Sequence, residues 1–295
     1  MSVQMESKAF LLEVLGRSAA QKSLSWLQGQ MEKLATEPVP AKFFLAFSQA
    51  SRHFKKEALA LSDADKAKAA SLVEGFEPAF WNELQAARTV LLLSYPQEKA
   101  KWLEVVNQLF ETGDMYEQQA LYAALPLMPF PEDLLARAID GCRTNMTLIF
   151  DAIALNNPFP PRYFPEANWN QLVLKSIFMQ RPLYRIQKLD ERRNPALADI
   201  ASDFAHERWA AGRPVMPELW RLVVPYLNDR FFADLKKVLK SDDQMEVEAG
   251  ILALYQCQSE AAKQLLQSRS EEVMAIEYGE ITWEKLGADF QEKRA

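Results

Sequence analysis

The chain has 295 residues, of which 49% are hydrophobic and 25% are charged, and its formal net charge is −6. This is ordinary globular composition, and the length fits one large domain or two smaller ones. The acidic balance, with no Lys/Arg run longer than two residues, argues against nucleic-acid binding, because phosphate neutralisation requires a basic surface.

The first residues, MSVQMESKAFLLEVLGRSAAQ, predict no secretory signal, because Glu13 and Arg17 interrupt the apolar run. The longest aliphatic run, Val90–Leu93, is far shorter than the roughly 20 residues that span a bilayer. We therefore expect a soluble, cytoplasmic protein with no transmembrane segment. Cys142 and Cys257 form no CxxC pair and no Cys/His cluster, and are predicted to be buried free thiols.

Apolar residues at helical spacing predict helices from the start of the chain onwards. The range 10–34 predicts one or two amphipathic helices that cover an end of the protein. Ser62 followed by Asp65 is typical of a helix N-cap with an acid in the first turn. Further helices are predicted to begin after Gly113 and after Pro131.

The C-terminal half continues the helical pattern. ALADIASDFAHERWAAG has an apolar face at helical spacing and predicts a helix that stops at Gly212. MEVEAGILALYQCQSEAAKQLL predicts two helices with a turn at Gln258 and Ser259. No segment shows the sustained alternation of a β-strand.

These elements predict an all-α fold, an irregular α-solenoid of HEAT type made from antiparallel helix pairs. About a dozen to fifteen short helices are too many for one four-helix bundle, and short loops join them. Residues 1–112 are expected to form an N-terminal helical lobe. Residues 113–295 are expected to form a helical-repeat region, although one continuous domain is the alternative.

The stretch from Arg143 to Phe178, RTNMTLIFDAIALNNPFPPRYFPEANWNQLVLKSIF, places polar residues inside apolar periodicity. Arg143, Thr147 and Asp151 are spaced i, i+4, i+8, which predicts one line along a helix. On the next helix a core stripe that begins at Trp169 runs beside a separate polar line. That line contains Asn168, Gln171 and Lys175.

Two interpretations of these polar lines stay open. If they face each other across a groove, their donors bind a small anionic or carbonyl-bearing ligand. The ligand-binding residues would then be Arg143, Asn145, Asp151, Asn168, Asn170 and Lys175. Alternatively, the charged residues cap and brace the helices while the asparagines fasten turns.

The proline-rich loop NNPFPPRYFPEANW presents Phe159, Tyr163 and Phe164 from a stiff backbone. These rings either fill the gap between helix pairs or form an aromatic wall for a ligand or partner.

HERW, His206–Trp209, fails the HExxH zinc motif because residue 210 is alanine. His206 is either a solvated side chain or a general base oriented by Asp203. Arg208 lies in line with the apolar stripe and is predicted to be mostly buried. With Asp190 or a loop carbonyl of the 143–195 region as its leading partner, and Trp169 nearby, it would form a structural clasp between two helix pairs.

No familiar catalytic pattern is present. The sequence has no Gly-rich phosphate loop, no GxSxG and no Cys/His zinc spacing, so neither a cofactor nor a metal is predicted. No catalytic residue is indicated beyond the candidate His206.

The blocks RTNM, NP…YF, WNQLVLK, LDERRNP and HERWAAGR together resemble the EboA-domain family, over a region from about Leu121 to Trp220. FFLAFSQASRHFKKEALAL and WNELQAARTVLLL are weaker matches, and the C-terminal part carries no motif of the family. Members are encoded in bacterial gene clusters beside a prenyltransferase, a hydrolase and other small enzymes. The clusters are linked to secondary metabolites and, in cyanobacteria, to export of a pigment precursor from the cytoplasm.

The resemblance implies a metabolite-pathway role without implying a reaction. The first hypothesis is a non-catalytic binding or assembly component that binds a small-molecule intermediate or other proteins of the same cluster. The alternative is a metabolic enzyme with an unfamiliar site in the 143–208 region.

Overall fold

A computed structural model describes residues 2–294, and within them the protein is built from helices. Seventeen α-helices and seven short 3-10 helices follow one another, more than the sequence predicts. No strand occurs in residues 2–294, where Ala58 and Asn82 form an isolated β-bridge. The all-α prediction is confirmed, whereas HEAT-like stacking of antiparallel pairs stays a prediction. None of the described helices combines the length and the apolar character that a membrane span requires.

The chain divides into two compact units, one of residues up to Pro165 and one from Glu166 onwards. The first unit contains α1 Val3–Ser18, α2 Gln21–Thr36, α3 Pro40–Gln49, α4 Asp63–Leu72, α5 Glu83–Ser94, α6 Lys99–Thr112, α7 Met115–Ala124, α8 Leu135–Gly141, α9 Thr147–Ala154 and α10 Phe159–Tyr163. The second contains α11 Glu166–Phe178, α12 Pro195–Ala210, α13 Asp229–Val238, α14 Gln244–Cys257, α15 Glu260–Leu266, α16 Ser270–Glu277 and α17 Trp283–Glu292.

Helix α5 is the centre of the first unit. It packs against α1, α2, α3 and α7, and every residue from Glu83 to Leu93 is buried. A helix that is covered on all sides must be apolar around most of its circumference, as QAARTVLLL largely is. Asn82 begins the helix by accepting a hydrogen bond from the backbone N–H of Gln85.

The predicted division at 112/113 does not coincide with the boundary between the compact units. Gly113 separates α6 from α7, but α7 packs against both α5 and α9 and so belongs with them in the first unit. Gly113 therefore marks a turn inside a unit. The turn carries a capping box in which Asp114 and Glu117 satisfy each other's backbone N–H groups.

Helix α14 has the central place in the second unit. It packs against the 3-10 helix Pro217–Leu222 and against α13, α15, α16 and α17. Two predicted boundaries are confirmed here. Helix α12 ends just before Gly212, which has a φ of +63°, and the turn after α14 contains Gln258 and the N-cap Ser259.

The predicted N-cap at Ser62 is also confirmed, because Ser62 and Asp65 form a capping box at the start of α4. Arg17 on α1 donates to the same Asp65 carboxylate at 2.7 Å, so the cap also ties α1 to α4. Hydrogen bonds from Ser62 and Arg17 lower the pKa of Asp65 to about 2.

Gly287 on α17 is predicted to tolerate no side chain. A Cβ there would lie 2.6 Å from Cδ of the buried Glu218 and would also overlap the Tyr184 ring. Gly287→Ala should lower the free energy of unfolding by about 1–3 kcal/mol through overpacking. Gly29→Ala on α2 is the control, since no atom lies within 4 Å of its Cβ position. It should raise stability by about 0.5–1 kcal/mol. Urea denaturation measures both, and a Gly287→Ala protein as stable as the parent would contradict this packing.

Candidate functional site

Arg143 and Asn145 lie in a turn between α8 and α9. Helix α8 ends at Gly141, and α9 begins only at Thr147. The predicted i, i+4, i+8 line through Arg143 and Asp151 is therefore wrong, because Arg143 precedes the helix that carries Asp151. Sequence spacing gives a line of side chains only where the backbone is helical throughout.

This turn is open to solvent. The Arg143 side chain is 72% exposed and pairs with Asp140, which is itself exposed, at 3.1 Å. Asn145 is exposed, and so is the apolar side chain of Met146. These side chains are therefore accessible. Because exposed ion pairs contribute little to stability, the Arg143–Asp140 pair contributes little to the stability of the fold.

The predicted core stripe of α11 is confirmed for Trp169, Leu172, Val173 and Ser176, which are all buried, whereas its last predicted member, Met179, follows the end of the helix and is half-buried. Of the predicted ligand-binding residues on this helix, Asn168 and Lys175 are half-buried, as is Asp151 on α9. Asp151 belongs to the first unit, whereas Asn168 and Lys175 belong to the second, so the predicted surface is divided between two compact units.

Asn170 on α11 is engaged in the fold. It is buried, and it exchanges two side-chain amide hydrogen bonds with Asn194, at 3.1 and 2.8 Å. Such a reciprocal pair uses one donor and one acceptor of each amide. Asn170 therefore fastens α11 to the start of α12.

The block LDERRNP forms a junction between helical segments of the second unit, termed here the 189–195 junction. The Trp169 indole donates to the backbone carbonyl of Arg192 at 3.1 Å. Asn194 accepts the backbone N–H of Leu197 at 2.9 Å and so caps α12. The junction thus links α11 to α12 through main-chain atoms as well as side chains.

Asp190 in this junction forms a two-bond ion pair with Arg221. The guanidinium Nε and Nη2 donate to the two carboxylate oxygens, each at 2.7 Å. The Arg221 side chain is only 11% exposed, whereas that of Asp190 is 45% exposed. Burial raises the pKa of the Asp190 carboxyl, but the hydrogen bonds and charge of Arg221 outweigh it and hold that pKa below its usual value. Arg193 adds a link by donating to the Arg221 carbonyl at 2.7 Å.

The predicted clasp between Arg208 and Asp190 is therefore wrong, because the arginine that pairs with Asp190 is Arg221. Arg208 is only half-buried, and its Nε donates to the carbonyl of Pro214 at 3.0 Å. Gly212, with its positive φ, lies in the turn directly after α12. The Arg208 guanidinium therefore hydrogen-bonds to the segment that follows its own helix. Arg221 takes the role that sequence spacing assigns to Arg208.

Glu218, three residues before Arg221, has no exposed surface. Its carboxyl group accepts the backbone N–H groups of Leu183 at 3.1 Å and Tyr184 at 2.5 Å. Burial raises the pKa of Glu218 to about 8, and the two backbone hydrogen bonds and the Arg221 charge only partly oppose it. The group therefore anchors the 3-10 helix Leu183–Arg185 to the 3-10 helix Pro217–Leu222.

His206 is held by Asp234 instead of Asp203. Its Nε2 lies 2.6 Å from Asp234 Oδ1, and the other carboxylate oxygen accepts the Ser202 hydroxyl at 2.7 Å. The Asp234 side chain is 6% exposed, while half of the His206 side chain is exposed. Asp203 pairs with Arg230. A solvent-facing imidazole oriented by a buried carboxylate is an arrangement that general bases use.

Asp234 and Ser202 are not identified by sequence motifs. A signal is nevertheless present in FFADLKKV, where Asp234 stands three residues after the buried Phe231 and next to the buried Leu235. An acid on the core-facing side of a helix requires a partner. Neither the partner's identity nor its position can be read from the helix itself.

Metal and thiol chemistry find little support in the described residues. In residues 2–294 no group of three or more His, Cys, Asp or Glu side chains is arranged to hold a metal ion. Cys142 and Cys257 are not joined in a disulfide bond, and Cys142 is buried as predicted, but Cys257 is half-buried. Burial raises the pKa of the Cys257 thiol to about 11, which leaves it a poor nucleophile at neutral pH.

The aromatic residues of the proline-rich loop are mostly covered. Phe159 and Phe164 are buried, and the Tyr163 ring packs against Phe159 with centroids 4.7 Å apart. This burial favours the gap-filling interpretation over an aromatic wall.

A family model described as "Metabolite traffic protein EboA" matches residues 7–224, which is well over half of the chain. The match includes both units in part and extends further towards the N-terminus than the motif blocks do. No curated protein and no solved structure matches the chain.

The Asp190–Arg221 pair should matter more to stability than the Arg208 side chain. Arg221→Ala should lower the free energy of unfolding by about 1–3 kcal/mol, less than a fully buried pair would lose, because water reaches Asp190. Arg208→Ala, which removes one exposed hydrogen bond, should cost at most about 1 kcal/mol. Urea denaturation of both variants measures this, and the reverse order would contradict the assignment.

Glu218 should make stability depend on pH. Between the usual carboxyl value of 4.5 and the folded value of about 8, the folded protein holds a proton that the unfolded chain has released. Stability should therefore fall as pH rises through this window. Glu218→Gln cannot ionise, so its urea midpoint should fall less over the same range. Parallel curves for parent and variant would show that Glu218 does not titrate in this way.

Proposed function

The chain belongs to the EboA family, and we propose that it is a non-catalytic binding or assembly component of a bacterial secondary-metabolite pathway. The match of residues 7–224 to a family described by metabolite traffic carries the proposal. On this proposal a helical surface of a cytoplasmic protein binds a small anionic or polar intermediate, or another protein of the same pathway.

Within the predicted surface, the exposed turn at Arg143 and Asn145 is best suited to this role. A planar guanidinium offers two parallel donors to a carboxylate or phosphate, and the exposed Arg143 loses little by leaving Asp140. Asp151, in the same unit as Arg143, remains in the proposal as a half-buried contributor. Asn168 and Lys175, half-buried on α11 of the second unit, remain proposed as separate contacts. Asn170 is better explained by its amide pair with Asn194.

The alternative is a metabolic enzyme with an unfamiliar site, and the His206–Asp234 pair is the observation in its favour. The 2.6 Å contact with Asp234 orients the imidazole, as the carboxylate partner of a general base does. Ser202 bonds to Asp234 and not to His206, so the group does not form the serine-histidine contact of a hydrolase triad. Any catalysis here would use His206 as acid or base.

We expect Arg143→Glu to abolish the metabolite role without unfolding the protein. A strain that lacks the chain would be complemented with the parent, with Arg143→Glu or with Lys263→Glu, and its metabolites profiled. Lys263 is a matched control, because it is an exposed cation paired with an acid three residues away, outside the family match. Arg143→Glu should fail to restore the parent profile at unchanged abundance and melting temperature, whereas Lys263→Glu should restore it. Full restoration by Arg143→Glu would contradict the proposed surface.

His206→Gln in the same strain separates the two functions. A non-catalytic component should be restored by this variant to the parent profile. Accumulation of a precursor, at normal abundance and stability of the variant, would instead establish the enzyme alternative.

A further inference from the structure

A group of basic residues gathers in the first unit where α2 begins and α3 has ended. It consists of Lys22 on α2 and of Arg52, His53, Lys55 and Lys56 in the segment after α3, and is termed here the 22–56 basic cluster. The four Lys and Arg residues are exposed, and His53 is half-buried. In a chain of net charge −6, such a concentration of positive charge requires an explanation.

The fold holds the two parts of the cluster together. The Ser23 hydroxyl on α2 donates to the backbone carbonyl of His53 at 2.6 Å. The His53 imidazole stacks on the Trp26 ring, with centroids 4.1 Å apart and planes 14° apart. Phe54, which is buried, meets the same Trp26 ring edge-on. The imidazole therefore has a fixed position beside the first turns of α2.

Two cations act on this imidazole. Burial lowers the pKa of His53, and the charges of Lys22 on α2 and Arg52 in the 3-10 helix Ala50–Arg52 lower it further. Lys22 directly precedes Ser23 and Arg52 directly precedes His53, so the Ser23–His53 hydrogen bond holds the two cation-bearing positions near the ring. The positive charges of Lys22 and Arg52 thus disfavour the charged form of the imidazole.

The cationic side chains of the cluster differ in whether they have an interaction partner. Lys55 pairs with Glu57 at 3.1 Å, and Lys56 lies over the Tyr116 ring at 3.2 Å. Lys22 and Arg52 make no ion pair among residues 2–294. Two like charges held near each other without a counter-charge favour the binding of an anion.

We propose that Lys22, Arg52 and His53 form a binding site for a phosphate group, carried by a phosphorylated metabolite or by a lipid headgroup. A phosphate dianion matches two cations in charge and has enough oxygens to accept from both and from an imidazole N–H. Arg52 supplies the planar fork and Lys22 a flexible point charge. The site uses none of the residues between 143 and 175, so its failure would leave the proposed function standing.

The two histidines of the chain allow a direct test by NMR titration. Inorganic pyrophosphate should raise the pKa of His53 by about half a unit or more, because a bound anion favours the charged imidazole. The His206 signals should not respond to pyrophosphate and serve as the internal control. A pKa of His53 that does not respond to pyrophosphate would overturn the proposal.

Substitutions assign the binding to these residues. Lys22→Ala and Arg52→Ala should each weaken pyrophosphate binding by about tenfold, the loss of one charge-assisted contact. Lys33→Ala is the matched control, an exposed lysine on the same helix α2, eleven residues and roughly 16 Å further along its axis. An equal loss in Lys33→Ala would show that only net charge matters and would overturn the site.

The source of the phosphate is settled by two further measurements. Glycerol 3-phosphate replaces pyrophosphate in the titration, and sedimentation tests binding to phosphatidylcholine vesicles with and without phosphatidic acid. A His53 response to glycerol 3-phosphate without sedimentation supports a soluble metabolite. Sedimentation that requires phosphatidic acid and is lost in Lys22→Ala supports a lipid headgroup. Binding to neither would refute the phosphate site.

Discussion

An ionisable side chain that leaves water must be met by hydrogen bonds or by an opposite charge, or must give up its charge, and this constraint organises the second unit. Glu218 is fully buried and accepts hydrogen bonds from two backbone N–H groups, while Arg221 donates two hydrogen bonds to Asp190. Through these contacts the 3-10 helix Pro217–Leu222 reaches both the Leu183–Arg185 turn and the 189–195 junction. α14 and α17 pack against the same 3-10 helix.

In the first unit the buried arginine Arg88 shows the same constraint. Arg88 lies on the central helix α5, is 1% exposed, and donates from Nε to the carbonyl of Phe47 at 3.0 Å. Glu117 lies 3.5 Å from its Nη2, which connects α5 to α7. Nη1 has no hydrogen-bond partner in the part of the chain that the structure describes. Arg88 is therefore held by α3 and α7 together, at a cost that only the surrounding packing offsets.

Local features were predictable from the sequence, and the choice of long-range partners was not. The Ser62 cap, the end of α12 at Gly212 and the buried stripe of α11 depend on neighbours within a few residues. The Arg221–Asp190 pair joins positions 31 residues apart, and His206–Asp234 joins positions 28 apart. Sequence spacing cannot choose among several charged residues at such separations, which is why it predicts Arg208 instead of Arg221 as the partner of Asp190. The helical line through Arg143 is wrong for another reason, because the five-residue break between α8 and α9 leaves no clear mark in apolar periodicity.

The structural role of these polar pairs limits where the functional residues can lie. The block LDERRNP, which contributes to the family resemblance, is occupied with joining helices, so its polar residues are largely committed to the fold. The metabolite role then belongs to exposed groups such as the turn at Arg143. The most direct measurement of this claim is a double-mutant cycle with Asp190→Ala and Arg221→Ala in urea denaturation. A structural junction predicts a coupling free energy of about 1–2 kcal/mol between the two residues. Additive effects of the two substitutions would contradict it and leave Asp190 available for a functional role.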